Sequence, residues 1–245
     1  FRFVNVGGFT DRKGTDVLLR AYLAEFRAEE DVCLVIKVRG YELERPWAER
    51  VLARSARERR GAAEVLLYDE DVPSVAGYYT AADVGVFPHR GEGFGLPILE
   101  CLACGRPVIV TKGTGHMDFC TAGNAQFVRA TRKVSLGRDM LEPDIAHLRR
   151  LMREAFERGK PSAQARETTS LSVRSFTWDR WVNLLDAGLR RGWDERMRRS
   201  VARPAGSRKV VFSFYSRGSS GLHKCVSKVD RYLQKHYESY CAEGF

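Results

Sequence analysis

The chain has 245 residues, 44% hydrophobic and 29% charged, the balance of a soluble globular fold large enough to bury a sizeable core. No apolar run approaches the ~20 residues a membrane-spanning helix needs, and no secretory leader opens the sequence. The formal net charge of +10 comes without an aromatic-interleaved basic stripe or a nucleic-acid motif, which excludes a nucleic-acid partner. A solvated basic surface is the first reading of that charge, and peripheral contact with an anionic membrane is the second.

From Phe1, which is not an initiating Met and reads as the start of a segment cut from a longer protein, short apolar runs alternate with amphipathic stretches. Strands are expected at 1–6, 32–38, 64–68, 84–87, 107–110 and 126–128. Helices are expected at 15–26, 45–59, 74–81 and 96–104. In the first helix Val17, Leu18, Ala21, Tyr22 and Ala24 form one stripe at helical spacing, with Thr15 as N-cap and Asp16 in the positive first turn. Strands alternating with helices of this length predict an α/β fold, a doubly wound Rossmann-like parallel sheet. After Val128 the alternation gives way to helices at 143–158, 162–175 and 177–191, the last capped by Thr177. Trp178, Trp181 and Trp193 fit helix packing. The organisation read from this pattern is a domain over 1–200, a linker over 201–208, and a strand-loop-helix extension over 209–245 that resembles the start of a further domain.

Six cysteines are spread over the chain, a usage that suits a reducing, cytoplasmic setting. Cys101 and Cys104 form C-x-x-C without a second ligand pair, so they read as small core residues. Asp69, Glu70 and Asp71 end a strand as D-x-D. Because Val-Pro-Ser and a helix follow, Asp71 reads as a turn and capping residue, and no metal is expected. Lys37 and Arg39 read as a solvated strand end, and Gly218–Gly221 as a plain turn.

The strongest chemical signal is His89-Arg-Gly-Glu-Gly-Phe-Gly-Leu-Pro-Ile-Leu-Glu100. A strand runs into a glycine-rich loop and then a helix with Pro97 in its first turn. Such a junction binds anions, because backbone N–H groups point outward along the positive end of the helix dipole. Gly93 and Gly95 let a ligand approach the backbone. Glu92 and Glu100 bracket the loop, with seven residues between them, at the carboxyl edge of the sheet, where open α/β sheets bind ligands. Carboxylates do not bind phosphate, so they accept hydrogen bonds from hydroxyls, and a nucleotide sugar offers hydroxyls on both sides of its diphosphate. His89 and His116 border this cleft and read as supporting or solvent-facing rather than proton-transferring.

The E-x7-E spacing resembles the family 4 retaining glycosyltransferases of the GT-B fold. So do the following Cys-Leu-Ala-Cys-Gly-Arg-Pro-Val-Ile-Val-Thr, the opening Val-Gly-Gly-Phe-Thr-Asp-Arg-Lys-Gly-Thr-Asp-Val-Leu-Leu and Tyr79-Thr-Ala-Ala-Asp-Val-Gly-Val-Phe-Pro. The likeness runs in register from Phe1 to about Arg191. It implies the C-terminal, nucleotide-sugar donor domain of a two-domain enzyme whose acceptor (a glycan, lipid or small molecule) binds a missing N-terminal domain. It implies that Glu100 holds ribose, that Glu92 serves the donor sugar as a catalytic residue with Lys13, and that amides of Phe94, Gly95 and Leu96 hold the phosphates. Gly7, Gly8 and Arg12 complete the expected donor site. The sequence departs from the pattern at Gly8, where the family carries a second basic residue, and Arg12 is the candidate replacement. The expected reaction is a retaining, metal-independent hexosyl transfer without cofactor, and the alternative is a non-catalytic nucleotide-sugar-binding module.

Overall fold

The computed structural model describes residues 1–38, 49–50, 53, 61–135 and 138–200. These fall into two compact units, residues 1–174 and residues from 175 onward. In the first unit, β1 (Arg2–Gly7), β2 (Cys33–Val38), β3 (Glu64–Tyr68), β4 (Val84–Phe87), β5 (Val108–Thr111) and β6 (Ala125–Val128) form one sheet in the order β3-β2-β1-β4-β5-β6. Every pairing in that sheet is parallel. The helices α1 (Thr15–Glu25), α2 (Ala76–Ala81), α3 (Leu96–Ala103), α4 (Ile145–Arg158) and α5 (Ala163–Ser172) accompany it.

Burial on both faces explains why the central strands, β4 and β5 above all, read as continuous apolar runs. Adjacent strand residues go to opposite cores. Phe3, Val86 and Ile109 join α1 and α4, whereas Val4, Phe87, Val108 and Val110 join α2 and α3. Gly85 lets α3 approach β4, since a Cβ there would lie 2.5 Å from Cys101 Sγ. Cys101 is therefore a fully buried packing residue. Cys33, Cys101, Cys104 and Cys120 are all free.

Three expectations need correction. Thr15 does not cap α1: the N-cap is Gly14, at φ +66, and the Thr15 hydroxyl instead donates to Gly8 O at 3.3 Å. Second, an antiparallel hairpin, β7 (Ala130–Ser135) and β8 (Arg138–Pro143), follows β6 over residues to which no element was assigned, and it takes Pro143 from the start of the expected helix. Pro143 ends β8, and α4 starts after Asp144, whose side chain accepts from His147 N at 3.0 Å. Third, Trp181 and Trp193 are 43% and 49% exposed, and the packing found there is the edge contact of Trp181 with Trp178 at 6.2 Å between ring centroids.

The second unit opens with α6 (Trp178–Ser200), which runs past the expected end at residue 191. Thr177 caps it as anticipated, accepting from Arg180 N at 3.2 Å. Of the helix expected over 45–59, residues 49, 50 and 53 are described and helical. Arg39, the linker over 201–208 and the strand-loop-helix over 209–245, with its Gly218–Gly221 turn, lie outside the described residues. No helix among the described residues is long and apolar enough to cross a membrane.

Candidate functional site

The strand order reverses between β1 and β4, and the loops leaving their carboxyl ends meet at that switch point. Their approach is backbone to backbone. A Cβ on Gly14 would sit 2.0 Å from Pro88 O, and Arg90 N donates to Arg12 O at 2.8 Å. Beyond them, Gly95 caps α3 at φ +91. The turn after β5 supports the glycine-rich loop from the other side. Gly115 N donates to Glu92 O at 2.9 Å, and a Cβ on Gly115 would fall 1.8 Å from Gly93 O. Pro97, without an N–H, sits in the first turn of α3, so outward donors at this helix end come from the backbone around Gly95.

The first glutamate is embedded in positive charge. Lys13 Nζ donates to Glu92 Oε2 at 2.5 Å, and Arg12 reaches the same oxygen at 3.4 Å while donating to Gly91 O at 2.8 Å. Arg12 thus brings a second cation to Glu92 beside Lys13. Buried His89 brings Nδ1 to 3.1 Å from that oxygen but out of line for a hydrogen bond. Burial pushes His89 down to about 4, so the ring is neutral at neutral pH and Lys13 carries the pairing charge. For Glu92, burial alone would raise the carboxyl, but the Lys13 ammonium, with the His89 ring close by, outweighs it and holds it well below the usual carboxylate range.

The second glutamate sits differently. Glu100 is exposed on α3, and Tyr79 OH donates to its Oε2 at 3.2 Å. Tyr79 is fully buried, and burial together with Glu100 raises its hydroxyl pKa well above the ordinary value. It is therefore a fixed donor that orients the carboxylate. Phe94 lies 38% exposed at the loop, its ring 5.3 Å from that of Phe119.

Several residues stand elsewhere than expected. Lys37 is buried, not solvated, and donates to Val38 O at 2.5 Å. Neither histidine faces solvent: His89 and His116 are 1% and 0% exposed. His116 Nε2 lies 2.8 Å from Thr111 O, which only accepts, so Nδ1 takes the Thr114 hydroxyl at 2.8 Å. In the 69–71 turn the carboxylate with a structural partner is Glu70, which accepts from Tyr78 OH, while Ser74 supplies the hydroxyl to Ala76 N. Among the described residues no group of three or more His, Cys, Asp or Glu is arranged to hold a metal ion.

Comparison with known proteins fits this geometry. Residues 1–138 match the family described as "Glycosyl transferases group 1". The chain is 36% identical over 115 residues to D-inositol 3-phosphate glycosyltransferase 2 of Catenulispora acidiphila, covering 45% of this chain and 27% of that protein. It is 37% identical over 113 residues to O-antigen chain mannosyltransferase B of Escherichia coli, covering 44% and 28%. The chain thus spans about a quarter to a third of the length of these relatives. Among solved structures, the α,α-trehalose 6-phosphate synthase of Burkholderia multivorans superposes with a TM-score of 0.60 at 18% identity, over 85% of this chain and 45% of that one. Anabaena Alr3699/HepE, solved in complex with UDP, gives 0.52 at 19% identity, over 80% and 49%. At these identities the superpositions speak for the fold. The chain belongs to the group 1 glycosyltransferases, and its parallel sheet is the C-terminal domain of the GT-B architecture.

Proposed function

We propose that this chain is the donor-binding part of a retaining glycosyltransferase, taking a nucleotide sugar with its diphosphate at the N-terminal end of α3. The observation that carries this reading is the meeting of Lys13, Glu92 and that helix end at the β1–β4 switch point. Glu92 here occupies the cation that a diphosphate would need. On arrival the diphosphate competes for Lys13 and Arg12, and the released carboxylate turns to the hydroxyls of the donor sugar. Glu100, oriented by Tyr79, takes the ribose. Lys13, Arg12 and the helix dipole then stabilise the departing diphosphate, the kind of electrostatic contribution that is commonly the largest in catalysis. Two protein cations and a helix end supply this charge without a metal. The acceptor, a glycan, lipid or small molecule, binds another part of the protein. The free cysteines support a cytoplasmic setting.

Calorimetry on the chain with UDP, GDP and ADP tests this directly, with at least one expected to bind whether or not EDTA is present. Glu100→Ala is expected to weaken the nucleoside diphosphate by ~1.5–3 kcal/mol, about one to two decades. Glu92→Ala is expected to spare it, since Lys13 loses a competitor, while weakening the sugar nucleotide. Equal losses for both ligands in both variants, or binding that depends on Mn²⁺, would overturn the assignment.

Gly8 favours a second reading, a nucleotide-sugar module without turnover, because it leaves one family cation position empty. Donor hydrolysis by the longer parent protein separates the two.

A further inference from the structure

Arg90 lies between the glutamate loop and the first turn, and its bonding is unusually complete. All five N–H donors of the guanidinium are used. Nε donates to Glu142 Oε2 at 3.0 Å and Nη2 to Glu142 Oε1 at 3.0 Å. Asp16 takes the second fork, with Nη1 at 2.7 Å from Oδ1 and Nη2 at 2.8 Å from Oδ2. The remaining Nη1 proton goes to Asp11 O at 2.7 Å. The backbone adds two more bonds, from Arg90 N to Arg12 O and from Leu141 N to Arg90 O, each at 2.8 Å. Only 5% of the residue is exposed. Burial alone would lower its pKa, but the hydrogen bonds it donates to Asp16 and Glu142 outweigh that and raise it further.

Such a cluster is poor evidence of stability, because desolvating the guanidinium offsets much of its attraction to Asp16 and Glu142, which stay 21% and 30% exposed. What the cluster does provide is geometry. It fixes four segments against one another: the turn holding Arg12 and Lys13, the first turn of α1, the loop holding Glu92, and strand β8. Asp11 stands two residues before Lys13, and Arg90 two residues before Glu92. The fork therefore sets the position of the site's principal cation relative to its anion and to the end of α3. A lysine keeps the charge but cannot form two bidentate pairs.

From this we infer that Arg90 is a positioning residue for the diphosphate site, acting through Lys13, and that the β7–β8 hairpin is coupled to that site through Glu142. The inference rests on the donor-site reading given above. Its test is calorimetry of the full chain with inorganic pyrophosphate and with UDP, alongside thermal melts, for Arg90→Lys, Glu142→Gln, Lys13→Ala and the double variant Arg90→Lys/Lys13→Ala. Pyrophosphate affinity is expected to fall about tenfold in Arg90→Lys and about threefold in Glu142→Gln, with no added loss when Arg90→Lys is placed on Lys13→Ala. A lowered melting temperature with unchanged affinity overturns the inference and leaves Arg90 a scaffold residue. Additive losses in the double variant also overturn it, because the effect would then not pass through Lys13. If Arg90→Lys does not fold, Glu142→Gln decides, and an unchanged affinity in that variant counts against the proposal. Failure of the unsubstituted chain to bind either probe overturns the donor-site reading itself, an outcome visible before any variant is made.

Discussion

Arg90 and Arg153 gather carboxylates by the same chemistry at opposite edges of one sheet. At the amino edge, where α1 ends, Arg153 donates to Glu25 Oε1 at 3.0 Å and Glu30 Oε1 at 2.6 Å, with its guanidinium 4.6 Å from the Phe26 ring centroid. Its side chain is 25% exposed, and it ties α4 to the end of α1 over an aromatic cluster. Arg90, at the carboxyl edge, is sealed in and joins the Arg12–Lys13 turn, the first turn of α1 and strand β8. Arg153 thus secures packing already specified by apolar surface. Arg90 holds segments for which the sequence supplies little apolar surface, and its value lies in where it sets charges.

The comparison breaks most sharply at the backbone. Gly14, at the carboxyl edge, has φ +66 and no room for a Cβ beside Pro88 O. Gly61, at the other edge, has φ +83 and nothing within 4 Å of the same position. Gly14→Ala is expected to cost more than ~3 kcal/mol and to abolish nucleotide binding, whereas Gly61→Ala carries only left-handed strain of roughly 1 kcal/mol. Urea melts of both variants measure this, and similar losses would mean the two edges are equally tolerant.

Next in size is an acid sensitivity centred on His89. Its folded pKa of about 4 lies below the ordinary 6.5, so between those values the unfolded chain binds the extra proton. Stability is therefore complete above about pH 6.5 and declines as pH falls towards 4, by up to about 3 kcal/mol from this residue. Below that window the depressed carboxyl of Glu142, held down by Arg90, continues the decline. His89→Gln is expected to flatten the slope between pH 6.5 and 4, and denaturant midpoints across that range check it. An unchanged slope would assign the acid response elsewhere.

The smallest effect belongs to the amino-edge cluster. Arg153→Ala is expected to lower stability by about 1–2 kcal/mol, from lost cation–π contact and partly screened ion pairs, while leaving pyrophosphate affinity unaltered. Weakened binding in that variant would erase the distinction between the two arginines.

How much of this was legible in the sequence follows from where each signal is stored. The central strands were visible because burial on both faces leaves unbroken runs such as Val108-Ile-Val-Thr111. Glu92, Glu100 and the glycines were visible because loop, helix end and spacing are local. The β7–β8 hairpin was not, since Thr131-Arg-Lys-Val134 lies open to solvent, with Val134 71% exposed, and carries no apolar alternation. Lys37 misled for the opposite reason: a charged residue at a strand end defaults to solvent, and only the fold shows it lying inward on Val38 O. Arg90 could not have been singled out, because its partners stand 74 and 52 residues away. Thr15 lost its capping role to Gly14 because the close approach to Pro88 leaves no room for a side chain there.

The contact between Gly93 and Gly115 bears on engineering. The glycine-rich loop does not carry its own shape, since one of its walls is main chain from the far side of β5. Transplanting residues 89–96 into another parallel sheet would deliver the motif without its mould. A workable cassette is bipartite: the loop together with the 111–116 turn, with Gly115 retained so that the two stretches of main chain can still nest.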